Sequence, residues 1–259
     1  MRLTVLGTGT SFGIPQIGCA CSVCRSEDPR DRRSRTSAIV EAGGSTILVD
    51  TPPELRLQLV GAGIAQVDAV LYTHEHADHT SGIDDLRMFS LKRRAALPVY
   101  GPAPCLAYLG DAYRYIFDDR FFVPDGTSKP RLALHALEPD VAIIIAGIPV
   151  LPIAVDHGYS TVFGYRFGDV AYVTDVKTVP QEARSRLRGV KVLVMSALWW
   201  RPHPTHQSIP EAIEVAREVG AELTYLTHLS HETAHRELLE RLPAGIEPAY
   251  DGLTLEVTS

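Results

Sequence analysis

The sequence predicts an α/β protein in which two mixed β-sheets pack face to face with helices outside, an αββα sandwich. Strand-length apolar segments come first and then alternate with helix-length amphipathic segments, in two rough halves of the chain. Residues with the chemistry of metal ligands follow the ends of several strand candidates. Periodicity alone would also fit a doubly wound sheet, so the position of these polar residues is what favours the sandwich. Because no repeat, low-complexity tract or linker interrupts the chain, we interpret residues 1–259 as a single domain.

The strand candidates are short runs rich in Val, Ile, Leu and aromatic residues, bounded by turn residues. The stretch 142–152 is apolar but broken by Gly147 and Pro149, and we interpret it as buried strand. The predicted strands are 3–6, 38–41, 46–49, 69–72, 98–100, 148–155, 163–167, 170–173, 192–195, 223–226 and 253–257.

The helix candidates carry apolar residues at helical spacing. Segment 208–219 has the clearest boundaries, because Ser208 is a preferred N-cap, Pro210 stands in the first turn and Gly220 follows the end. The predicted helices are 53–62, 83–91, 208–219 and 234–242.

The segment 74–79 reads His-Glu-His-Ala-Asp-His and directly follows the predicted strand 69–72. A strand that ends in such a segment can direct three imidazoles and a carboxylate at one point, and these groups are common ligands of Zn, Mn or Fe. Three further candidates each follow a predicted strand. The candidate ligands are therefore His74, His76, Asp78, His79, His157, Asp175 and His228.

Five histidines and two aspartates are enough for two divalent metals with positions left for water and substrate. Two neighbouring cations can share a carboxylate and a hydroxide, which acts as the nucleophile in hydrolysis. We assign Asp175 as the shared, catalytic carboxylate. The first metal is assigned to His74, His76 and His157, and the second to Asp78, His79 and His228.

A second metal site is predicted from Cys19-x-Cys21-x-x-Cys24, because three thiols within six residues can surround one tetrahedral zinc. His231, three residues after His228, is a candidate for the fourth ligand. A closed site of three cysteines and one histidine would be structural, and it would connect the N-terminal loop to the C-terminal ligand loop. The alternative interpretation is three reduced thiols.

The ligand pattern resembles the metallo-β-lactamase superfamily in order and spacing, across nearly the whole chain. This resemblance implies the αββα sandwich and the ligand assignment given above. Asp50, at the end of the predicted strand 46–49, matches an early aspartate of the family that supports the ligands from behind. The Thr51-Pro52-Pro53 that follows departs from the glycine often found there.

The N-terminal pattern narrows the resemblance. Residues 7–24 read GTGTSFGIPQIGCACSVC and residues 227–231 read THLSH. Together they are similar to the PhnP phosphodiesterases of phosphonate degradation, which open phosphoribosyl 1,2-cyclic phosphate. The resemblance implies a structural Zn²⁺ at Cys19, Cys21, Cys24 and His231, and two active-site metals, commonly Mn²⁺ or Zn²⁺. It also implies hydrolysis of a cyclic or other small phosphodiester. A homodimer would be in keeping with other members of the family.

Cleavage of a phosphodiester requires a proton for the leaving alkoxide. His206, just before the predicted helix 208–219, matches the family's active-site histidine that is not a ligand, and we assign it as general acid or phosphate contact. Trp199 and Trp200 fit either an aromatic wall for a sugar or base, or core packing. His135 and His235 are interpreted as surface residues.

Two alternative functions remain open. A tRNA 3′-end endonuclease shares the ligand segment, but the net charge of −6 and the lack of a long Gly/Pro-rich arm do not favour binding of nucleic acid. A non-hydrolytic, carrier-like protein similar to the pyrroloquinoline-quinone biosynthesis B proteins shares the Cys-rich start. Those proteins tend to lose part of the ligand set, which this chain keeps. Hydrolysis of a lactam or a thioester is disfavoured by the predicted site of three cysteines and one histidine.

The composition also predicts the compartment. No apolar run approaches the roughly 20 residues of a membrane span, and the N-terminus has no signal-peptide pattern. We therefore expect a cytoplasmic protein with no membrane contact. In that compartment the four cysteines would be thiols or metal ligands, and Cys105 is interpreted as a buried or idle thiol.

Overall fold

The computed structural model describes residues 1–118 and 120–258. It contains strands and helices that form four layers. In chain order the strands are β1 (Arg2–Gly7), β2 (Ser37–Ala42), β3 (Ser45–Val49), β4 (Ala69–Leu71), β5 (Leu97–Gly101), β6 (Leu132–Ala136), β7 (Ile143–Ile145), β8 (Ile148–His157), β9 (Ser160–Phe167), β10 (Val170–Val173), β11 (Val192–Ser196), β12 (Leu223–Thr227), β13 (Ile246–Pro248) and β14 (Leu253–Glu256). The α-helices are α1 (Leu55–Gly61), α2 (Ala77–Thr80), α3 (Arg87–Arg93), α4 (Ala103–Ala112), α5 (Arg114–Phe117), α6 (Gln181–Leu187), α7 (Ile209–Val219) and α8 (His235–Arg241). Two 3₁₀ turns cover Pro29–Asp31 and Ile83–Leu86.

The strands form two seven-stranded mixed sheets, in the orders β14-β1-β2-β3-β4-β5-β6 and β13-β12-β11-β10-β9-β8-β7. In the first sheet β14, β1, β2 and β3 pair antiparallel, and β3 to β6 pair parallel. The second sheet repeats this pattern, with antiparallel pairing from β7 to β10 and parallel pairing from β10 to β13. The parallel halves matter for function, because the carboxyl ends of parallel strands lie at one edge of a sheet.

The core has three layers because successive side chains of a strand point to opposite faces. In β2, Val40 packs between the two sheets whereas Ile39 packs outward beneath the helices. In β10, Tyr172 points to the space between the sheets and Ala171 toward the outer helices. The prediction of two mixed sheets flanked by helices is confirmed. None of the helices in the described part of the chain has the length and apolar character needed to cross a membrane.

Helix α7 shows how local sequence fixes an element beside the site. The Ser208 hydroxyl accepts a hydrogen bond from the Glu211 backbone N–H, and the Glu211 carboxylate accepts one from the Ser208 backbone N–H at 2.7 Å. This reciprocal capping box satisfies amides that the helix leaves unpaired. Gly220 ends the helix in the left-handed conformation, at φ +71°.

Several elements differ from the sequence-based prediction. The stretch 142–152 is a hairpin of β7 and β8 around Gly147. Its second half is part of the predicted strand 148–155, but Ile144 in β7 is 66% exposed, so the interpretation of the whole stretch as buried strand was wrong. Strands β6 and β13 and helices α4, α5 and α6 were not predicted. Helix α4 escaped prediction because Pro104 and Gly110 mask its apolar face, which buries Cys105 and Leu109.

Candidate metal centre and active-site cleft

The ends of several strands meet at one edge of the sandwich and carry the predicted ligands. The segment 74–79 follows β4 of the first sheet and passes into helix α2, which holds Asp78 and His79, so this segment is part loop and part helical turn. In the second sheet His157 ends β8, Asp175 follows β10 and His228 follows β12. The structure brings these side chains into two groups that each could hold one metal ion: His74, His76, His157 and Asp175, and Asp78, His79, Asp175 and His228.

The distances between the Asp175 carboxylate and the histidine Nε2 atoms are longer than good hydrogen bonds and are those expected of atoms that bind the same metal ion. The Asp175 carboxylate lies 3.3 Å from His228 Nε2, 3.4 Å from His79 Nε2 and 3.9 Å from His74 Nε2. Two ligand atoms bound to one ion at about 2.0–2.2 Å lie about 3.3 Å apart in tetrahedral geometry. These three Nε2 atoms are buried and have no hydrogen-bond partner among the described residues. Such buried orphan atoms are costly unless a cation is bound.

The Nδ1 atoms of two of the ligand histidines are held by hydrogen bonds to other parts of the protein. His79 Nδ1 donates to the buried Asp50 carboxylate at 2.7 Å, and that carboxylate also accepts from the Thr73 N–H at 2.8 Å. His157 Nδ1 donates to the Thr205 carbonyl at 2.8 Å. A fixed Nδ1–H selects the tautomer with a free Nε2 lone pair, which therefore points into the metal groups. Asp50 lies where the sequence predicted a supporting residue.

Burial selects the neutral, ligand form of two of the rings. Loss of solvent lowers the pKa of His74 well below its usual value and lowers the pKa of His228, so both imidazoles are neutral at neutral pH. Burial by itself would raise the pKa of Asp175, but the rings of His228 and His79 hold it well below its usual value. Burial alone would lower the pKa of His79, but the Asp175 and Asp50 carboxylates raise it well above its usual value, so a cation bound at Nε2 would displace a proton. Neutral imidazoles around an ionised carboxylate are the donor set that a divalent cation requires.

Backbone strain occurs at two of the candidate ligands and at the supporting Asp50. Asp50, Asp175 and His228 have φ of +62°, +54° and +56°, in the left-handed region that non-glycine residues rarely adopt. Each such residue costs of order 1–2 kcal/mol, and this strain clusters at functional sites. The twist turns each side chain from its strand end toward the other ligands, and no pattern in the sequence revealed it.

The second predicted site also assembles. Cys19 and Cys21 are half-buried, Cys24 is buried, and their Sγ atoms lie 3.3, 3.5 and 3.6 Å from His231 Nδ1. With Zn–S near 2.3 Å and Zn–N near 2.0 Å, a tetrahedral zinc would place sulfur and nitrogen about 3.5 Å apart. All four groups therefore fit one zinc ion. The site connects residues 19–24 to the loop that starts at His228.

A cleft of about 400 Å³ opens over the two metal groups. Its walls include Ser11 from the N-terminal loop, Tyr159 and Ser160 from the β8–β9 turn, and Thr205 and His206 from the loop before α7. The His206 ring stacks on His228 with centroids 4.7 Å apart. Burial, and then His228, lower the pKa of His206 to about 3, and an anionic phosphoryl oxygen beside the ring would raise it.

Three other interpretations from the sequence are settled. Trp199 and Trp200 do not line the cleft. Instead, Arg201 and Arg241 stack on their rings at 3.7 and 3.9 Å from the centroids. His135 is exposed as predicted. His235 was wrongly interpreted as a surface residue: it is buried, with its backbone N–H bonded to Asp31 at 2.6 Å and its ring 3.4 Å from Arg33.

Comparison with known proteins places this geometry in a family. Residues 45–229 match the family model of the beta-lactamase superfamily domain. The crystal structure of a diphosphatase of the PhnP family has a TM-score of 0.90 and 40% identity, covering 98% of this chain and 97% of that one. An octanoyltransferase of Porphyromonas gingivalis is 41% identical over 98% of this chain, which spans about half (51%) of that relative's length. A ribonuclease Z of a Mycobacterium species is 28% identical over 88% of this chain and 84% of its own.

The strand-end ligand groups, the sandwich and the matched domain agree with one another. They are those of a metallo-β-lactamase fold with candidate metal-binding groups at its strand ends. The chain belongs to the metallo-β-lactamase superfamily and, within it, to the PhnP family.

Proposed function

We propose that this chain is a phosphodiesterase with two active-site metals, Mn²⁺ or Zn²⁺, and one structural Zn²⁺. Its substrate would be a small cyclic phosphate or nucleotide, such as phosphoribosyl 1,2-cyclic phosphate. The observation that carries the proposal is the pair of ligand groups that share Asp175 at the floor of a small cleft. Two divalent cations, when bound, would supply Lewis acidity at a phosphoryl oxygen and an activated water.

The protein residues have separate tasks in this proposal. Asp175 would hold both cations at a fixed separation, and Asp50 would orient His79 through its Nδ1–H. His206 lies beside both groups, with its ring centroid 4.7 Å from those of His157 and His228. It would hydrogen-bond the phosphoryl group and deliver a proton to the departing oxygen.

The cleft favours a small substrate over a polynucleotide. A volume of about 400 Å³ lies in the range of small-molecule sites. The net charge of −6 also disfavours a long polyanion. A second candidate reaction is hydrolysis of a diphosphate bond, because the PhnP-family relative with 40% identity is a diphosphatase. In both reactions a water molecule would attack a phosphorus atom, and both would depend on the same two ligand groups.

The test combines metal content with turnover. The chain is loaded with Mn²⁺ or Zn²⁺ and freed of excess metal, and the bound metals are counted by mass spectrometry. Hydrolysis is then measured for bis-p-nitrophenyl phosphate, phosphoribosyl 1,2-cyclic phosphate, a dinucleoside diphosphate and a tRNA precursor. We expect cleavage of the first two, and preference for the third would favour the diphosphatase. Full metal loading without cleavage at any phosphoryl centre would refute the proposal and favour a carrier or a thioesterase.

The role of His206 can be tested separately. His206→Ala should retain both active-site metals and slow hydrolysis by about 10²–10⁴-fold. His135→Ala is a matched control, since His135 is an exposed histidine of β6 that does not line the cleft. If an ester with a very good leaving group is slowed as much as an alkyl ester, His206 does not act as the acid.

A further inference from the structure

Tyr159 is a cleft residue that nothing in the fold explains. It lies at the tip of the turn between β8 and β9, two residues after His157, and it lines the cleft above the metal groups. Its side chain is 100% exposed, so the folded chain gains no burial from the ring. A large apolar ring held in water at the mouth of a site is a contact surface for a ligand.

The turn that carries Tyr159 is held rigidly. Gly158 adopts φ +69°, and a Cβ on it would lie 2.6 Å from Thr205 Cγ2, so the turn is packed directly against the loop that carries His206. His157 Nδ1 donates to the Thr205 carbonyl at 2.8 Å and ties the same two segments together. The backbone at Tyr159 is therefore held beside both the metal groups and His206.

The charges around the cleft limit what else the substrate can carry. Among the described residues that line the cleft, none is Lys or Arg. The Arg35 guanidinium donates to the Ser11 carbonyl at 3.1 Å but is ion-paired with Glu54. Lys177, two residues after Asp175, donates to Glu211 at 2.7 Å. The cations would thus neutralise the reacting phosphoryl group, and a second phosphate would find no counter-charge on the cleft wall.

We propose that Tyr159 stacks on a planar ring of the substrate, which carries its negative charge only at the reacting phosphoryl group. The substrate class is a phosphodiester with a neutral aromatic substituent, such as a nucleoside. Of the substrates proposed above, this favours the small nucleotide over phosphoribosyl 1,2-cyclic phosphate, which carries a second phosphate and no aromatic ring. The hydroxyl groups of Ser11, Ser160 and Thr205, which line the cleft, would form hydrogen bonds with the neutral sugar. This inference rests on the proposed function and names the substrate class of the same site.

The experiment uses substrates with one leaving group and different retained groups. These are methyl p-nitrophenyl phosphate, thymidine 5′-(p-nitrophenyl phosphate), and the latter with an added 3′-phosphate. In the metal-loaded wild type we expect the thymidine ester to have the lower KM and the 3′-phosphate to raise KM. Tyr159→Ala should raise KM for the thymidine ester by about 5- to 100-fold, the usual value of one stacked base, with little change for the methyl ester.

Controls separate stacking from general damage. Tyr159→Phe keeps the ring and should keep the preference for thymidine. Tyr108→Ala removes an exposed tyrosine of α4 that does not line the cleft, and it should leave KM unchanged for both substrates. Calorimetric Kd values for thymidine 5′-monophosphate should rise with Tyr159→Ala by a similar factor, which is a readout independent of turnover.

The outcomes are distinct. A wild type that hydrolyses both esters, with a thymidine preference that survives Tyr159→Ala, would overturn the role of Tyr159. A 3′-phosphate that lowers KM would overturn the charge argument. A metal-loaded wild type that hydrolyses none of the esters would remove the proposed function, and this inference with it.

Discussion

Gly158→Ala is expected to damage both stability and activity because of one contact. The substitution has two costs, about 1–2 kcal/mol for a side chain at φ +69° and about 1–3 kcal/mol for the overlap 2.6 Å from Thr205 Cγ2. The lower chain entropy of Ala in the unfolded state offsets about 0.4–1 kcal/mol. The net loss is about 2–4 kcal/mol, which lowers Tm by about 4–15 °C in a chain of this size.

The matched control is Gly168→Ala. Gly168 has φ +59°, but a Cβ there would meet nothing within 4 Å, so only the backbone cost applies. The difference between the two melting curves therefore isolates the contact with Thr205. Relief of that overlap would move the Thr205 carbonyl away from His157, and a misplacement of about 1 Å costs up to about 10²-fold in turnover.

The assay is thermal unfolding together with hydrolysis of bis-p-nitrophenyl phosphate at equal metal content. Gly158→Ala should be the less stable variant and should turn over about 10- to 100-fold more slowly, whereas Gly168→Ala keeps its rate. Equal melting temperatures for the two variants, with a wild-type rate for Gly158→Ala, would refute the packing argument.

The other predictions concern metals and pH. Asp175→Ala should lower active-site metal content and cut turnover severely, because both ligand groups lose their shared carboxylate; unchanged turnover would remove Asp175 from the site. Cys21→Ser should release one zinc and lower Tm more than it lowers the rate of the folded fraction, and a variant with the full metal count and wild-type Tm would contradict the structural site. Burial, and then Arg33, lower the pKa of His235 to about 4, so from its ordinary 6.5 downward the unfolded chain binds a proton that the folded chain does not. Stability should therefore fall between pH 6.5 and pH 4, by about 1–2 kcal/mol from this group at pH 5, and His235→Gln should show a shallower fall in chemical denaturation; identical pH profiles would contradict the assignment.

Local pattern was sufficient for much of the fold. Strands such as β10 and β11 are short apolar runs between turn residues, and α7 carries its boundaries in Ser208 and Gly220. Prediction failed where local pattern and tertiary environment disagree. Strand β13 was missed because Pro248 lacks a backbone N–H and argues against a strand. The structure tolerates this proline because β13 lies at the edge of its sheet and pairs on one side only. Helix α4 contains Gly110, and its burial against β5 and β6 outweighs that weak propensity.

The candidate site divides in the same way. The residue types and their positions after strands indicated the ligands, since the metal-binding chemistry of imidazole and carboxylate follows from residue identity alone. Tyr159, Thr205 and the pairing of Asp50 with His79 gave no such signal. Tyr159 is an ordinary turn residue in sequence, and it becomes notable only because the cleft lies beneath it. His235 was misread for the same reason, because its burial depends on Asp31 and Arg33, some 200 positions away.

By itself, the sequence determined the class of fold, the candidates for the metal-binding residues and the resemblance to a hydrolase family. Those properties depend on apolar periodicity and on side-chain chemistry, and both are local. Only the tertiary structure decided that Asp50 pairs with His79, that the turn at Gly158 packs against Thr205 and that the cleft wall lacks a cation among its described residues. The physical reason is that strand register and left-handed backbone turns at Asp50, Asp175 and His228 set these distances, and both follow from the packing of the two sheets.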